Sequence, residues 1–428
     1  MRMSTKYIFT LLFSGQLVNG FSQAKEPFAY GDFTWLNGVS RQKESLLKGK
    51  NFTGLAYFDT YLNYSFNKPS DHVVASSTAV GRHNEIVANH LSFGLSSNYK
   101  NIIARFYYQT GQMLTQINET SPITGQGRNT LIGEMKNIRE AVAGYHFDKW
   151  NGINVEMGIL PSPLGQESFL TGENWYYQHA FVADFTPYYF SGIRCQIYPT
   201  DKFEIDYQLT NGWQTYSKFH AGYGQIISFN YRPKEWLTLD ADFYLGQNEA
   251  SSKTWRFHHD HSVQVRYYNR PNSKRMSKAA FTMNNHYGSE EKRATIPELT
   301  SSPYFMGFNA ANRVWFNKDK VAITTRGGYM TNPGRYTTPA PATAYFPASK
   351  GGIWDLFSAW DAAVCIDWMP NDFITFRAEW CSRFASVPFY AGKGGTTVPD
   401  GWTGVPGSFV PDLKKEEHRI LIAANFRL

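Results

Sequence analysis

Phe373-Ile374-Thr375-Phe376-Arg377-Ala378-Glu379-Trp380-Cys381-Ser382-Arg383-Phe384 is a stretch in which two chemistries alternate. Ile374, Phe376, Ala378, Trp380 and Phe384 share one parity; Thr375, Arg377, Glu379 and Arg383 share the other. Successive side chains of a strand point to opposite faces, so the stretch reads as a half-apolar, half-charged strand. The same period runs through Trp236–Leu245, where Leu237, Leu239, Ala241, Phe243 and Leu245 alternate with Thr238, Asp240, Asp242 and Tyr244. It returns at the C-terminus, where Ile420, Ile422, Ala424, Phe426 and Leu428 alternate with Arg419, Asn425 and Arg427.

Working outward, sixteen such segments can be drawn, starting near Phe52, Val87, Ile102, Ile138, Ile153, Tyr189, Phe203, Tyr223, Trp236, Trp255, Met276, Tyr304, Val321, Phe357, Phe373 and Glu416. Short links rich in Asn, Asp, Pro and Lys, such as Pro199-Thr200-Asp201-Lys202 and Asn317-Lys318-Asp319-Lys320, have turn chemistry. Long polar links lie between them, after Phe66, Leu114, Leu160 and Ala385. Barrels of the outer membrane sort their links in this way, with short periplasmic turns and long external loops. The links Gln247–Lys253 and Asn269–Arg275 fit either side, so the count could be 14 or 18. The fold class is therefore all-β: a transmembrane, antiparallel, up-and-down β-barrel of about 16 strands.

Composition agrees. Of 428 residues 17% are aromatic, yet the mean hydropathy is −0.43. A barrel wall produces this pairing, because only alternate residues face lipid and aromatic girdles mark both interfaces. Past the N-terminus no apolar run reaches the roughly 18 residues of a membrane helix. Arg2 and Lys6 flank the apolar Tyr7–Phe13, so residues 1–22 read as an export signal; cleavage after Ser22 or after Ala24 fits. Residues 23–50 form either a periplasmic arm or a luminal plug entering through Phe33, Trp35 and Leu36, and residues 51–428 the barrel. The charge of +7 is spread along the chain, with no nucleic-acid footprint. Cys195, Cys365 and Cys381 are far apart and read as lone thiols.

An Arg facing lipid at the midplane costs about 2–4 kcal/mol, so the charged face must look inward. The expected pore lining is Asp59, Arg105, Glu156, Arg194, Asp206, Asp240, Asp242, Arg266, Arg313, Arg326, Asp361, Arg377, Glu379 and Arg419. Sixteen strands enclose more space than wall side chains fill, which favours an open channel over a barrel packed shut. In the link 160–188, Pro161 and Pro163 stiffen the exit from the fifth strand. Phe169, Trp175, Tyr176, Tyr177, Phe181 and Phe185 are too apolar for a loop in water. Folded inward, the loop would form a constriction through Pro161, Pro163, Glu167, Glu173, Trp175 and Asp184, with its acids facing Arg105, Arg194 and other wall arginines. A lid over the external mouth is the alternative.

Three stretches carry a family likeness: Gly158-Ile159-Leu160-Pro161-Ser162-Pro163-Leu164-Gly165-Gln166-Glu167-Ser168-Phe169 with Asn174-Trp175-Tyr176-Tyr177; Pro187-Tyr188-Tyr189-Phe190-Ser191-Gly192-Ile193-Arg194; and Leu209-Thr210-Asn211-Gly212-Trp213-Gln214. Together with Gly31-Asp32-Phe33-Thr34-Trp35-Leu36-Asn37-Gly38 and Ser40-Arg41-Gln42, they resemble the putative β-barrel porin family described as OmpL-like, of Bacteroidetes-type outer membranes. The resemblance implies a barrel in the outer membrane of a Gram-negative bacterium, and its loop order implies an inward third loop.

His258-His259-Asp260-His261 offers two ligands to each face of a strand, too few for a closed metal site without partners elsewhere, and reads as solvated interface histidines. No nucleophile with a plausible base is legible, so neither an enzyme nor a cofactor is expected. The functional expectation is a porin-like channel for passive or weakly selective diffusion of small hydrophilic solutes. The alternative is a non-transporting surface barrel, an adhesin or structural anchor. The expected partners are the bilayer and lipopolysaccharide, the outer-membrane assembly machinery and small hydrophilic solutes.

Overall fold

The computed structural model describes residues 27–74, 77–119, 135–218, 222–247, 254–291, 302–337, 356–397 and 411–428. The expected export signal, residues 1–22, lies outside them. Sixteen antiparallel strands close into a barrel. They are β1 (Thr53–Ser65), β2 (Ile86–Tyr99), β3 (Ile102–Thr110), β4 (Ile138–Phe147), β5 (Ile153–Pro161), β6 (Tyr189–Thr200), β7 (Phe203–Thr210) and β8 (Gly224–Lys234). After them come β9 (Leu237–Gln247), β10 (Trp255–Asn269), β11 (Met276–Glu290), β12 (Tyr304–Phe316), β13 (Val321–Thr331), β14 (Ser358–Asn371) and β15 (Ile374–Ala385). The short β16 (Tyr390–Ala391) and β17 (Leu413–Lys414) pair with each other outside the wall. The last wall strand, β18 (Glu416–Arg427), closes the barrel against β1 with Asp59 opposite Asn425.

Each wall strand starts within one residue of its sequence expectation. The links alternate short and long all the way round, with 248–254 on the long side and 270–275 on the short side. At the β2–β3 hairpin Tyr99 pairs with Ile102, and the two residues between them, Lys100 and Asn101, both have positive φ. That is the turn geometry whose twist suits a two-residue hairpin. The short-turn end is the periplasmic end in barrels of this kind.

Parity decides which face each residue takes. On β15, Phe376, Trp380 and Phe384 are exposed on the outer surface, while Arg377, Glu379 and Arg383 are buried inside. On β18, Ile420, Ile422 and Phe426 face out, and Arg419, Leu421 and Asn425 face in. Outward aromatics gather near both rims: Tyr99, Trp150, Trp236 and Trp368 at the periplasmic end, Trp255, Tyr304, Trp360 and Phe384 at the other. The three cysteines form no disulfide; Cys365 and Cys381 are buried.

Ile422→Arg is expected to cost about 2–4 kcal/mol and to lower the folded yield, because it sets a charge against lipid. Ser228→Arg should fold normally, since its side chain points inward opposite Asp242. Heat-modifiable migration on gels measures both, and equal yields would contradict the face assignment.

Candidate functional site

The lumen is occupied. The third external loop, L3 (residues 162–188), enters it between β5 and β6, and residues 27–50 enter from the periplasmic end. The latter segment starts beside the β6–β7 turn, where the Phe28 amide donates to Asp201 O at 2.7 Å. It ends across the barrel, where Arg41 donates to Asn371 O and Ile374 O and Gln42 meets Arg427. Between these anchors Phe33, Trp35 and Leu36 pack on Trp175 and Tyr176 of L3 and on Trp315 of the wall. Small wall residues, Ala280, Ala311 and Ala322, leave room for those rings. On the external side Phe181 and Phe185 pack on Phe305, Tyr336, Phe357 and Phe389, and Tyr177 on Tyr61, Val74 and Val80.

A loop carried into a barrel brings peptide groups that need partners. The wall charges supply them. Glu379 accepts from the Tyr177 and Gln178 amides (2.6 and 3.2 Å), and Asp361 accepts from the Phe181 amide at 3.1 Å. Asp260 accepts from the Gly165 amide at 3.1 Å. Arginines take the carbonyls: Arg377 donates to Thr171 O and Tyr176 O, Arg313 to Trp175 O and Arg383 to His179 O. Asp59 accepts from Thr171 Oγ1, Tyr177 Oη, Asn89 Nδ2 and Asn425 Nδ2. The arginines are themselves charge-matched, Arg313 and Arg377 by Asp367 and Arg326 by Asp361.

The residues expected to line a pore therefore divide. All point inward, but Asp59, Arg313, Arg326, Asp361, Arg377 and Glu379 form a socket for L3. Arg105, Glu156 and Arg194 join Glu140 in a buried ion-pair network within the wall. Arg266 pairs with Glu235 at 2.5 Å and lies over the Trp35 ring; Arg419 lies 3.7 Å from Glu417. Only Arg194, Asp206, Asp240 and Asp242 of the set border the main remaining cavity.

The loop acids also differ from expectation. None faces Arg105 or Arg194, because Glu156 already holds both. Asp184 pairs with Arg383 at 3.0 Å and accepts from Thr78, while Glu173 pairs with Arg427. Glu167 accepts from Tyr176 Oη (2.6 Å) and from the Ala180 amide. Trp175 is buried against Trp315 and donates from Nε1 to Trp35 O. Thr375, on the charged parity, is covered by Arg41. Thr78, His179 and Asp184 meet by hydrogen bonds, but Asp184 accepts from the Thr78 hydroxyl and is held by Arg383. That arrangement ties the first external loop to L3, without the base-orienting order of a catalytic triad.

What L3 leaves open is a cavity of about 70 Å³ along β6–β10, room for several waters. Arg194, Arg232, Glu204, Asp206, Asp240 and Asp242 border it, together with Ser228, Asn230, Gln264, Pro161 and Pro163. A second space of about 40 Å³, bordered by Glu167, Glu173 and Tyr188, adjoins it at Gly38, Pro161, Ser162 and Gln166. At that junction Gly38 has φ +78°, and a Cβ there would sit 2.0 Å from Gln166 O, so only glycine lets the two backbones touch. Glu204 and Arg232 were missed in the sequence reading, although each shares parity with an inward neighbour, Asp206 and Asn230.

The histidine run corrects a further expectation. His259 and His261 face outward beside Phe243, but His258 and Asp260 point inward and are buried.

Burial pushes the Glu167 carboxyl up from 4.5 to about 7, against the pull of Arg326. A loop displaced into water would lose that proton, so the cost of ionising Glu167 in the docked loop is absent below pH 4.5 and full above about pH 7. Lowering the pH through this window should tighten L3 and reduce conductance. Glu167→Gln should remove that pH dependence, and unchanged pH profiles in bilayer recordings would contradict it.

Residues 51–405 match the family described as putative beta-barrel porin-2, OmpL-like. The fold is similar to that of OmpT, an outer membrane protein of Vibrio cholerae, at TM-score 0.50 and 9% identity over 89% of this chain and 99% of that one. It is also similar to the outer membrane channel DcaP of Acinetobacter baumannii, at 0.52 and 8% over 90% and 99%. An anion-selective porin from Comamonas acidovorans gives 0.54 and 7% over 88% and 99%. At these identities the likeness is one of fold. No curated protein sequence matches.

Proposed function

The chain belongs to the putative beta-barrel porin-2, OmpL-like family and is a barrel of the Gram-negative outer membrane, and we propose that it conducts small hydrophilic solutes along the cavity beside L3. One observation carries this reading. Among the described residues, the polar side chains of β6–β10 that L3 leaves uncovered are continuous, from Arg232 and Glu204 near the periplasmic rim to Gln166 at the loop. Four carboxylates against two arginines on that wall favour cations. The contact of Gly38 with Gln166 lies where the two spaces adjoin.

In this reading residues 1–22 serve export, the outer surface meets lipid and lipopolysaccharide, and the assembly machinery reads the terminal strand β18. Selectivity lies with Asp240 and Asp242, and not with Glu167 and Glu173, which the loop and Arg427 engage. The density of luminal packing supports a second reading, a closed surface barrel without transport.

Planar-bilayer recording separates the two. The first reading expects small, cation-preferring channels, a selectivity shift towards anions in Asp240→Lys/Asp242→Lys, and at least about twofold higher conductance when residues 27–50 are removed from the mature chain. Silent membranes from both the intact and the shortened protein, each folded, would favour the closed barrel.

A further inference from the structure

Near the external end of the wall, His258 on β10 and His286 on β11 bring ring nitrogens together, with Nε2 of the first 3.3 Å from Nδ1 of the second. The Asp260 carboxylate completes a buried group whose ligand atoms all lie within 4.8 Å of one another. Both rings are held from behind. Asn284 donates from Nδ2 to His261 O (3.1 Å) and Asp260 Oδ1 (3.3 Å), so its Oδ1 is the atom facing His286 Nε2. That contact requires the proton on Nε2 and leaves a lone pair on Nδ1. Tyr336 Oη lies 3.1 Å from both Phe257 O and His258 Nδ1; with its proton on Phe257 O it accepts from His258 Nδ1, the tautomer that leaves the lone pair on Nε2.

In that tautomer two lone pairs face each other at 3.3 Å in a buried site. The contact is repulsive unless a cation lies between them. An ion bound at about 2.0–2.1 Å holds two tetrahedral ligands roughly 3.3–3.4 Å apart, which is the separation found. With the longest separation in the group at up to 4.8 Å, the carboxylate needs to close by about 1.4 Å to join them. Asp260 is positioned by Gly165 and Asn284, the kind of outer-shell hydrogen bonding that orients metal ligands. Gly288, opposite His258, leaves the space: a Cβ there would lie 2.8 Å from His258 Nδ1 and 2.4 Å from the Tyr336 ring. The nearby Arg256 is paired with Glu290.

We propose that His258, His286 and Asp260 bind a divalent transition-metal ion, with Zn²⁺ the best match to two imidazoles and a carboxylate. The site is coupled to L3, because Asp260 also accepts from the Gly165 amide. The folded chain in detergent micelles, stripped by chelator and titrated with Zn²⁺, should take up one tightly held equivalent. His286→Gln should weaken it at least about tenfold, while His259→Gln/His261→Gln on the outer face should leave it intact. X-ray absorption of the Zn²⁺-loaded wild-type protein, which depends on no variant folding, should show two imidazoles and an oxygen ligand. No uptake beyond that of His286→Gln, loss of uptake in the outer-face variant, or a single imidazole in the absorption spectrum would each overturn the proposal.

Discussion

The backbone of L3 runs through a barrel, and every peptide group it carries there needs a hydrogen-bond partner. Leaving one buried and unpaired costs about 1–3 kcal/mol. Glu379, Asp361 and Asp260 answer the amides, and Arg313, Arg377 and Arg383 answer the carbonyls. Much of the charge on the inner wall exists for this purpose. Removing the Asp367 carboxylate would cost about 3–5 kcal/mol, since the buried Arg313 and Arg377 would both lose the charge that matches them. The loop and its socket therefore hold each other in place.

The lumen is asymmetric as a consequence. The arc from β12 through β18 to β1 is covered by L3, whose rings pack on the periplasmic-side segment below and the external loops above. The arc from β6 to β10 keeps water-accessible polar side chains. Wall chemistry differs accordingly. On the covered arc, charges are matched to backbone groups of a loop; on the open arc, Arg194, Asp206, Asp240 and Asp242 border free space. Gly38 joins the two parts, because its missing Cβ lets the N-terminal segment touch L3 at Gln166.

The wall was legible in the sequence, and the apolar rings of L3 pointed to an inward loop, but the partners of the luminal charges were not legible. Period-two alternation is local, and a charge facing lipid is expensive, so strand positions and inward parity follow from neighbouring residues alone. Which inward charges meet water depends on contacts between residues 95 to 206 positions apart. Tyr177 to Glu379 and Phe181 to Asp361 have no local signature. His258 shows the intermediate case. Its inward parity was readable, but His286 becomes its partner only once the β10–β11 register is known, with Asp260 opposite His286. The luminal role of Phe33, Trp35 and Leu36 was legible as one of two options, because three large apolar residues outside any strand need cover.

Hydrogen–deuterium exchange on the folded protein, read over peptides that span Gly165–Phe181, tests most directly whether L3 is bound into the wall. The amides of Gly165, Tyr177, Gln178 and Phe181, each held by a wall carboxylate, are expected to exchange as slowly as those of the neighbouring strands β5 and β6. Exchange of these amides at the rate of a free surface loop, with the strands still protected, would contradict the account.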